Sequence, residues 1–108
     1  MMPSNIIKEL QELTQTNRKG VDALFEAESE LAEKENELDK VESKAFLESQ
    51  GTVADRQALA RLEASDARFE RDLAKAKVNR IKVKLKVIES ELMAQATMSK
   101  MLQAEMKL

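Results

Sequence analysis

Apolar residues recur along much of this chain at alternating steps of three and four, the spacing that lines up one face of an α-helix. Leu24, Ala27, Leu31, Leu38, Val41 and Ala45 follow it. Lys34 interrupts the row, as polar residues do in some coiled-coil seams. The pattern predicts a long helix over 21–49. Ahead of it, Ile6, Ile7, Leu10 and Leu13 form a shorter stripe behind Pro3 and Ser4. Proline is favoured near a helix start and serine is a good N-cap. This stripe fades over 14–17 and Gly20 follows, so a separate short helix is predicted over 4–18, with Gly20 closing it or kinking its junction with the next.

The clearest punctuation lies at 49–55. Gly51 can take the left-handed conformation that ends a helix. Thr52 is the expected N-cap of the next helix, and Asp55 sits in its first turn, near the positive end of the helix dipole. This predicts a tight turn over 50–52 and a third helix over 53–106. Its first seam reads as Leu59, Leu62, Phe69, Leu73 and Ala76, interrupted by Asp66. From Val78 the apolar surface widens: Val78, Ile81, Leu85, Ile88 and Leu92 make one stripe, and Val83 and Val87 a second. With the turn at Gly51, residue i of the second helix lies opposite roughly residue 102 − i, and that helix of about 43 Å reaches only to about Ile81. The apolar overhang beyond must be covered by the first helix folding back, by other subunits or by another partner. A helix pair alone has little core, so oligomerisation is expected. The fold class is all-α: a long antiparallel, coiled-coil-like helical hairpin with a short N-terminal helix, in one domain over 1–108, as a homo-oligomer.

Composition supports a helical interaction protein. Charged residues make up 35% of the 108 positions and aromatics only 3%, the profile of long helices. The absence of Cys and His removes disulfides, thiolate metal sites and the usual acid/base residue near neutral pH. No enzyme activity, cofactor or metal is expected. No apolar run is long enough to cross a membrane, and the start of the chain lacks the pattern of a secretory signal, so a cytoplasmic location is expected.

The net charge of −2 hides a split. Positions 22–48 carry ten acidic and three basic residues, whereas 75–88 carry six basic residues and no acidic one. The six are Lys75, Lys77, Arg80, Lys82, Lys84 and Lys86. Lys75, Lys82 and Lys86 share one helix face, and Lys77 and Lys84 another, with Arg80 near the boundary. Arg18 and Lys19 approach this run if the helices pack as argued. Such a patch neutralises phosphates without reading sequence, giving salt-dependent nucleic-acid binding. It is equally readable as a solvated face whose lysine stems cover apolar surface, or as the counterpart of a neighbouring subunit's acidic helix.

The remaining candidates are weaker. Phe25 and Phe69 fall on or beside the seams and are expected in the core, which leaves Phe46 as the one candidate for base stacking, with packing its favoured role. Glu26, Glu30, Glu33 and Glu37 lie at helical spacing, but with no accompanying His or acidic loop they read as solvent-facing or lysine-paired. A one-sign field of this kind also permits phosphate mimicry. Near the C-terminus Met93, Met98, Met101, Leu102 and Met106 form an adaptable apolar surface, for docking a partner or for closing an oligomer core. The expected oligomer or partner interface is Ile6, Ile7, Leu10, Leu13, Ile81, Leu85, Ile88, Leu92, Met98, Met101 and Leu102.

The stretch Glu9-Leu10-Gln11-Glu12-Leu13, the long helix ending in Lys44-Ala45-Phe46-Leu47-Glu48, the turn at Gly51 and the second long helix together resemble the UvsY-type recombination mediators of bacteriophages. The resemblance covers most of the chain as an order of elements. It implies a small helical homo-oligomer in the host cytoplasm that binds single-stranded DNA and assists a recombinase in displacing single-strand-binding protein. Members of that family carry Lys-Ala-Arg-Leu where this chain has Lys44-Ala45-Phe46-Leu47. Phe46 replaces the arginine, so Lys44 alone carries over as a phosphate contact. The run at 75–86 is read from the residues themselves. The leading expectation is a phage-type recombination or replication accessory protein that oligomerises and binds single-stranded DNA through the basic run, with Lys44, Arg18 and Lys19. The alternative is a protein-only interaction module, acting as inhibitor, adaptor or assembly factor.

Overall fold

A computed structural model describes residues 3–106. It consists of three helices, α1 (Pro3–Glu48), α2 (Val53–Glu63) and α3 (Ser65–Met106), with no strand among the described residues. The long helices pack as an extended helical hairpin, the architecture expected from the apolar spacing. Packing within the chain separates two compact units, one of residues 1–24 and 80–108, the other of residues 25–79.

The predicted short helix does not exist as a separate element. α1 runs unbroken through Gly20, which is half-buried inside the helix and has no positive φ. Its lack of a side chain serves packing: a Cβ there would lie 2.6 Å from Cδ2 of Leu85. In the terminal unit Ile6 (1% exposed), Leu85 and Ile88 are buried, and Leu10, Leu13, Leu24, Ile81, Leu92 and Leu102 are half-buried. Of the overhang expected beyond Ile81, the stripe of Ile81, Leu85, Ile88 and Leu92 is therefore covered by the continuation of α1, while Val83 and Val87 stay exposed.

The turn forms as predicted. Gly51 has φ +116, and Thr52 caps α2 by accepting the Asp55 backbone N–H at 3.1 Å. Across the turn, Arg56 donates from Nε and Nη2 to the Phe46 carbonyl at 3.2 and 3.0 Å, and Ser49 Oγ donates to the same oxygen at 2.9 Å. These donors satisfy a carbonyl that the end of α1 leaves without a helical partner. The Arg56 guanidinium also lies over the Phe46 ring, 4.2 Å from its centre. Phe46, the one candidate for stacking, is thus half-buried with one ring face under the guanidinium.

The third predicted helix is interrupted at Ala64 (φ −90, ψ 7), where α2 ends and α3 begins with Ser65 and Asp66. Ser and Asp favour helix starts because their side chains compete for nearby backbone N–H groups. The Arg61 carbonyl accepts from Arg68 Nη1 at 3.3 Å, while Nη2 of the same guanidinium binds Glu42.

The inward seam of this segment differs from expectation. Ala60, Ala64, Ala74 and Val78 are buried, and Ala67 and Arg71 half-buried between them. Leu59, Leu62, Phe69, Leu73 and Ala76, the predicted seam, are exposed. On α1 the facing row in this unit is Ala27, Leu31, Lys34, Leu38, Val41 and Ala45, as predicted. Lys34 reaches out of the seam to Glu70 at 3.0 Å, with Glu37 at 3.8 Å, and Lys77 meets Glu30 at 3.4 Å. Phe25, expected in the core, is 73% exposed.

Candidate nucleic-acid interface

Every cation singled out from the sequence is at the surface: Arg18, Lys19, Lys44, Lys75, Lys77, Arg80, Lys82, Lys84 and Lys86 are all exposed. The fold does not gather them into one cluster. Arg18, Lys19 and 80–86 belong to the terminal unit, whereas Lys44, Lys75 and Lys77 belong to the other.

In the terminal unit the helical period distributes the run around a fixed inward row. Ile81, Leu85 and Ile88 face α1, so the residues between them project outward. Lys82 and Lys86, four apart, share one flank, and Arg80 and Lys84, also four apart, share the other. On the latter flank Lys84 and Lys19 line one shallow groove with Thr16, Gly20, Ala23, Ile81, Leu85 and Ile88. The groove exists because Gly20 and Ala23 present so little side chain. The convergence of Lys19 with Lys84 was the part of the expected cluster legible in the sequence.

Electrostatically the units are opposites. The terminal unit holds nine basic and six acidic residues, the other nine basic and fourteen acidic. In the acidic unit Lys34, Lys44, Arg68, Arg71 and Lys77 each have a carboxylate within 4.0 Å. Lys44, the residue carried over from the family resemblance, sits beside Glu48 in a groove that also contains Glu63. In the terminal unit, among the described residues, no ion pair engages Arg18, Lys19, Arg80, Lys82, Lys84 or Lys86.

The apolar residues assigned to an oligomer or partner interface divide in two. Ile6, Leu10, Leu13, Ile81, Leu85, Ile88, Leu92 and Leu102 are buried or half-buried against their own chain and form its core. Ile7, Met98 and Met101 are exposed, with Met93 and Met106. Among the described residues no group of acidic side chains could hold a metal ion, and no helix is long and apolar enough to cross a membrane. Glu26, Glu33 and Glu37 are solvent-facing and Glu30 binds Lys77.

Comparison of the chain with protein-family models, with curated proteins and with solved structures gave no match.

Proposed function

We propose that this chain is a non-enzymatic accessory protein that binds the phosphate backbone of single-stranded nucleic acid through the terminal unit, with Lys82, Lys86, Arg80, Lys84 and Lys19 as the contacts. The observation that carries this reading is the contrast in pairing. The acidic unit pairs most of its cations internally, while the terminal unit leaves Arg18, Lys19 and the 80–86 cations exposed and, among the described residues, without carboxylate partners. Unpaired, hydrated cations on a rigid helix keep their counterion-exchanging capacity, which supplies sequence-independent affinity. Phage origin and a mediator role beside a recombinase or single-strand-binding protein belong to the same proposal and rest on the family resemblance. Self-association and a cytoplasmic location belong to the proposal as well, the former argued from the small core of a helix pair.

Each phosphate neutralised on a single strand contributes about 0.7 to the slope of log affinity against log salt. Engagement of Lys19, Arg80, Lys82, Lys84 and Lys86 therefore predicts a slope of about 3.5. Reversing Lys82, Lys84 and Lys86 to Glu lowers affinity and flattens that slope. An unchanged slope contradicts the assignment.

A second reading has its own observation. Met93, Met101 and Met106 are exposed along the end of α3, an apolar surface suited to a protein partner. On this reading the chain shows no DNA affinity at moderate salt, and polar replacement of the exposed Met98 and Met101 abolishes capture of the partner.

A further inference from the structure

The exposed row Leu59, Leu62, Asp66, Phe69, Leu73 and Ala76 keeps the alternating three-and-four spacing of a coiled-coil seam. It lies roughly 145° around the helix from the inward row of Ala60, Ala64, Ala74 and Val78, at about 100° per residue. The segment over 59–76 thus carries two seams, and α1 fills only one. Leu59, Leu62, Phe69 and Leu73 are left 46%, 71%, 64% and 56% exposed, a row of large apolar side chains broken only by Asp66 and of the kind that marks an interaction site.

We infer that this outer seam pairs with the same seam of a second copy of the chain, in antiparallel orientation, centred on Phe69 and Leu73. Charge placement selects both occupant and direction. One edge of the row reads Glu63, Glu70 and Lys77, with Asp66 within the row; Glu70 is already neutralised by Lys34 at 3.0 Å, so the free charges are acidic early and basic late. Antiparallel pairing sets Phe69 of each copy against Leu73 of the other. It also brings Glu63 and Asp66 of one beside Lys77 of the other. Parallel pairing stacks two Asp66 carboxylates face to face inside an apolar seam, where like charges are costly to desolvate. Among the described residues Glu63 and Asp66 have no ion-pair partner within the chain. The Lys77 side chain remains 60% exposed despite its contact with Glu30, which leaves it able to bridge two carboxylates. The row is therefore self-complementary, and the inference does not depend on nucleic-acid binding.

Sedimentation of the purified chain tests the association. The expected result is a concentration-dependent dimer of about twice the 12.2 kDa chain mass, lost in the double variant Phe69→Lys/Leu73→Lys with helix content unchanged by circular dichroism. A wild-type chain that stays monomeric up to about 100 μM overturns the inference and leaves the row to a different protein. So does a dimer that survives the double variant. Orientation is read separately, because the native chain has no cysteine. With a short bis-maleimide, a mixture of Glu63→Cys and Lys77→Cys chains cross-links between the two variants, while Glu63→Cys alone stays uncross-linked. Cross-linking of Glu63→Cys to itself alone overturns the antiparallel arrangement.

Discussion

Leu85 packs directly onto the bare Cα of Gly20, so closely that a Cβ added at Gly20 would stand 2.6 Å from Leu85 Cδ2 and 3.5 Å from its Cγ. A glycine inside a helix costs about 1 kcal/mol relative to alanine, and here that cost accompanies close helix packing in the terminal unit. Gly20→Ala gains helix propensity but must displace a terminal methyl of the buried Leu85, so the two effects offset and the expected change in stability is within about 1 kcal/mol. Gly20→Leu has no such room and is expected to destabilise by about 1–3 kcal/mol. Leu85→Ala in the Gly20→Leu background should recover part of that loss. Urea denaturation of the four chains measures each value and their coupling.

The turn makes a second set of expectations. Thr52→Ala removes the acceptor of the Asp55 N–H and should cost about 1 kcal/mol. Gly51→Ala forces a side chain into φ +116 and against Asp55, with a cost of about 1 kcal/mol or more. Thermal unfolding followed by circular dichroism checks both, and a midpoint unmoved in Gly51→Ala would contradict the turn geometry.

Two amide oxygens, Asn17 Oδ1 and Gln95 Oε1, are buried with no hydrogen-bond partner among the described residues. Both side chains occupy positions in the rows that α1 and α3 turn toward each other. A buried acceptor without a partner costs about 1–3 kcal/mol. Asn17→Leu and Gln95→Leu are therefore expected to raise the urea midpoint. The gain comes with loss of a polar mark on helix register, since single polar seam residues specify alignment. Lower stability in both variants would mean that these oxygens are hydrogen-bonded in solution.

Lys34 gives a pH-dependent expectation. Its hydrogen bond to Glu70, and the charges of Glu70 and Glu37, raise its pKa above the ordinary lysine value. A group whose pKa is raised by folding contributes its stability fully below the unfolded value and loses it as pH climbs through the folded one. The stability difference between wild type and Lys34→Met should stay constant through neutral pH and shift against wild type only in the alkaline lysine range. A difference that changes near neutrality would contradict the assignment to Lys34.

Much of this fold was legible in the residue pattern, and the departures share one physical origin. The row from Leu24 to Ala45 was readable because its large residues do face inward. Over 59–78 the same criterion chose the wrong face. Leu59, Leu62, Phe69 and Leu73 outrank Ala60, Ala64, Ala67 and Ala74 in hydrophobicity, yet the alanines are the residues turned toward α1. Apolar content is a sum over atoms, whereas packing depends on shape, so a row of alanines is inconspicuous in a sequence and well suited to close contact. Gly20 was misread for the same reason: its spacing belongs to the seam, and its identity resembles a breaker. Arg56 over Phe46 had no local signature, because the contact is made across the turn. The basic run was legible as charge. Which cations are left without carboxylates depends on the partner helix, and no helical period reveals that.

The proposed nucleic-acid binding turns on the exposed cations of the terminal unit, which have no ion-pair partner among the described residues. The direct measurement is fluorescence anisotropy of a labelled single-stranded oligonucleotide titrated with the chain at several salt concentrations. The expected result is binding at low salt that weakens with a slope of about 3.5, reduced by about 1.4 when Lys82 and Lys86 become Glu and unaffected by Lys44→Glu. No binding at low salt, or equal losses from Lys44→Glu and from the Lys82/Lys86 pair, would contradict it.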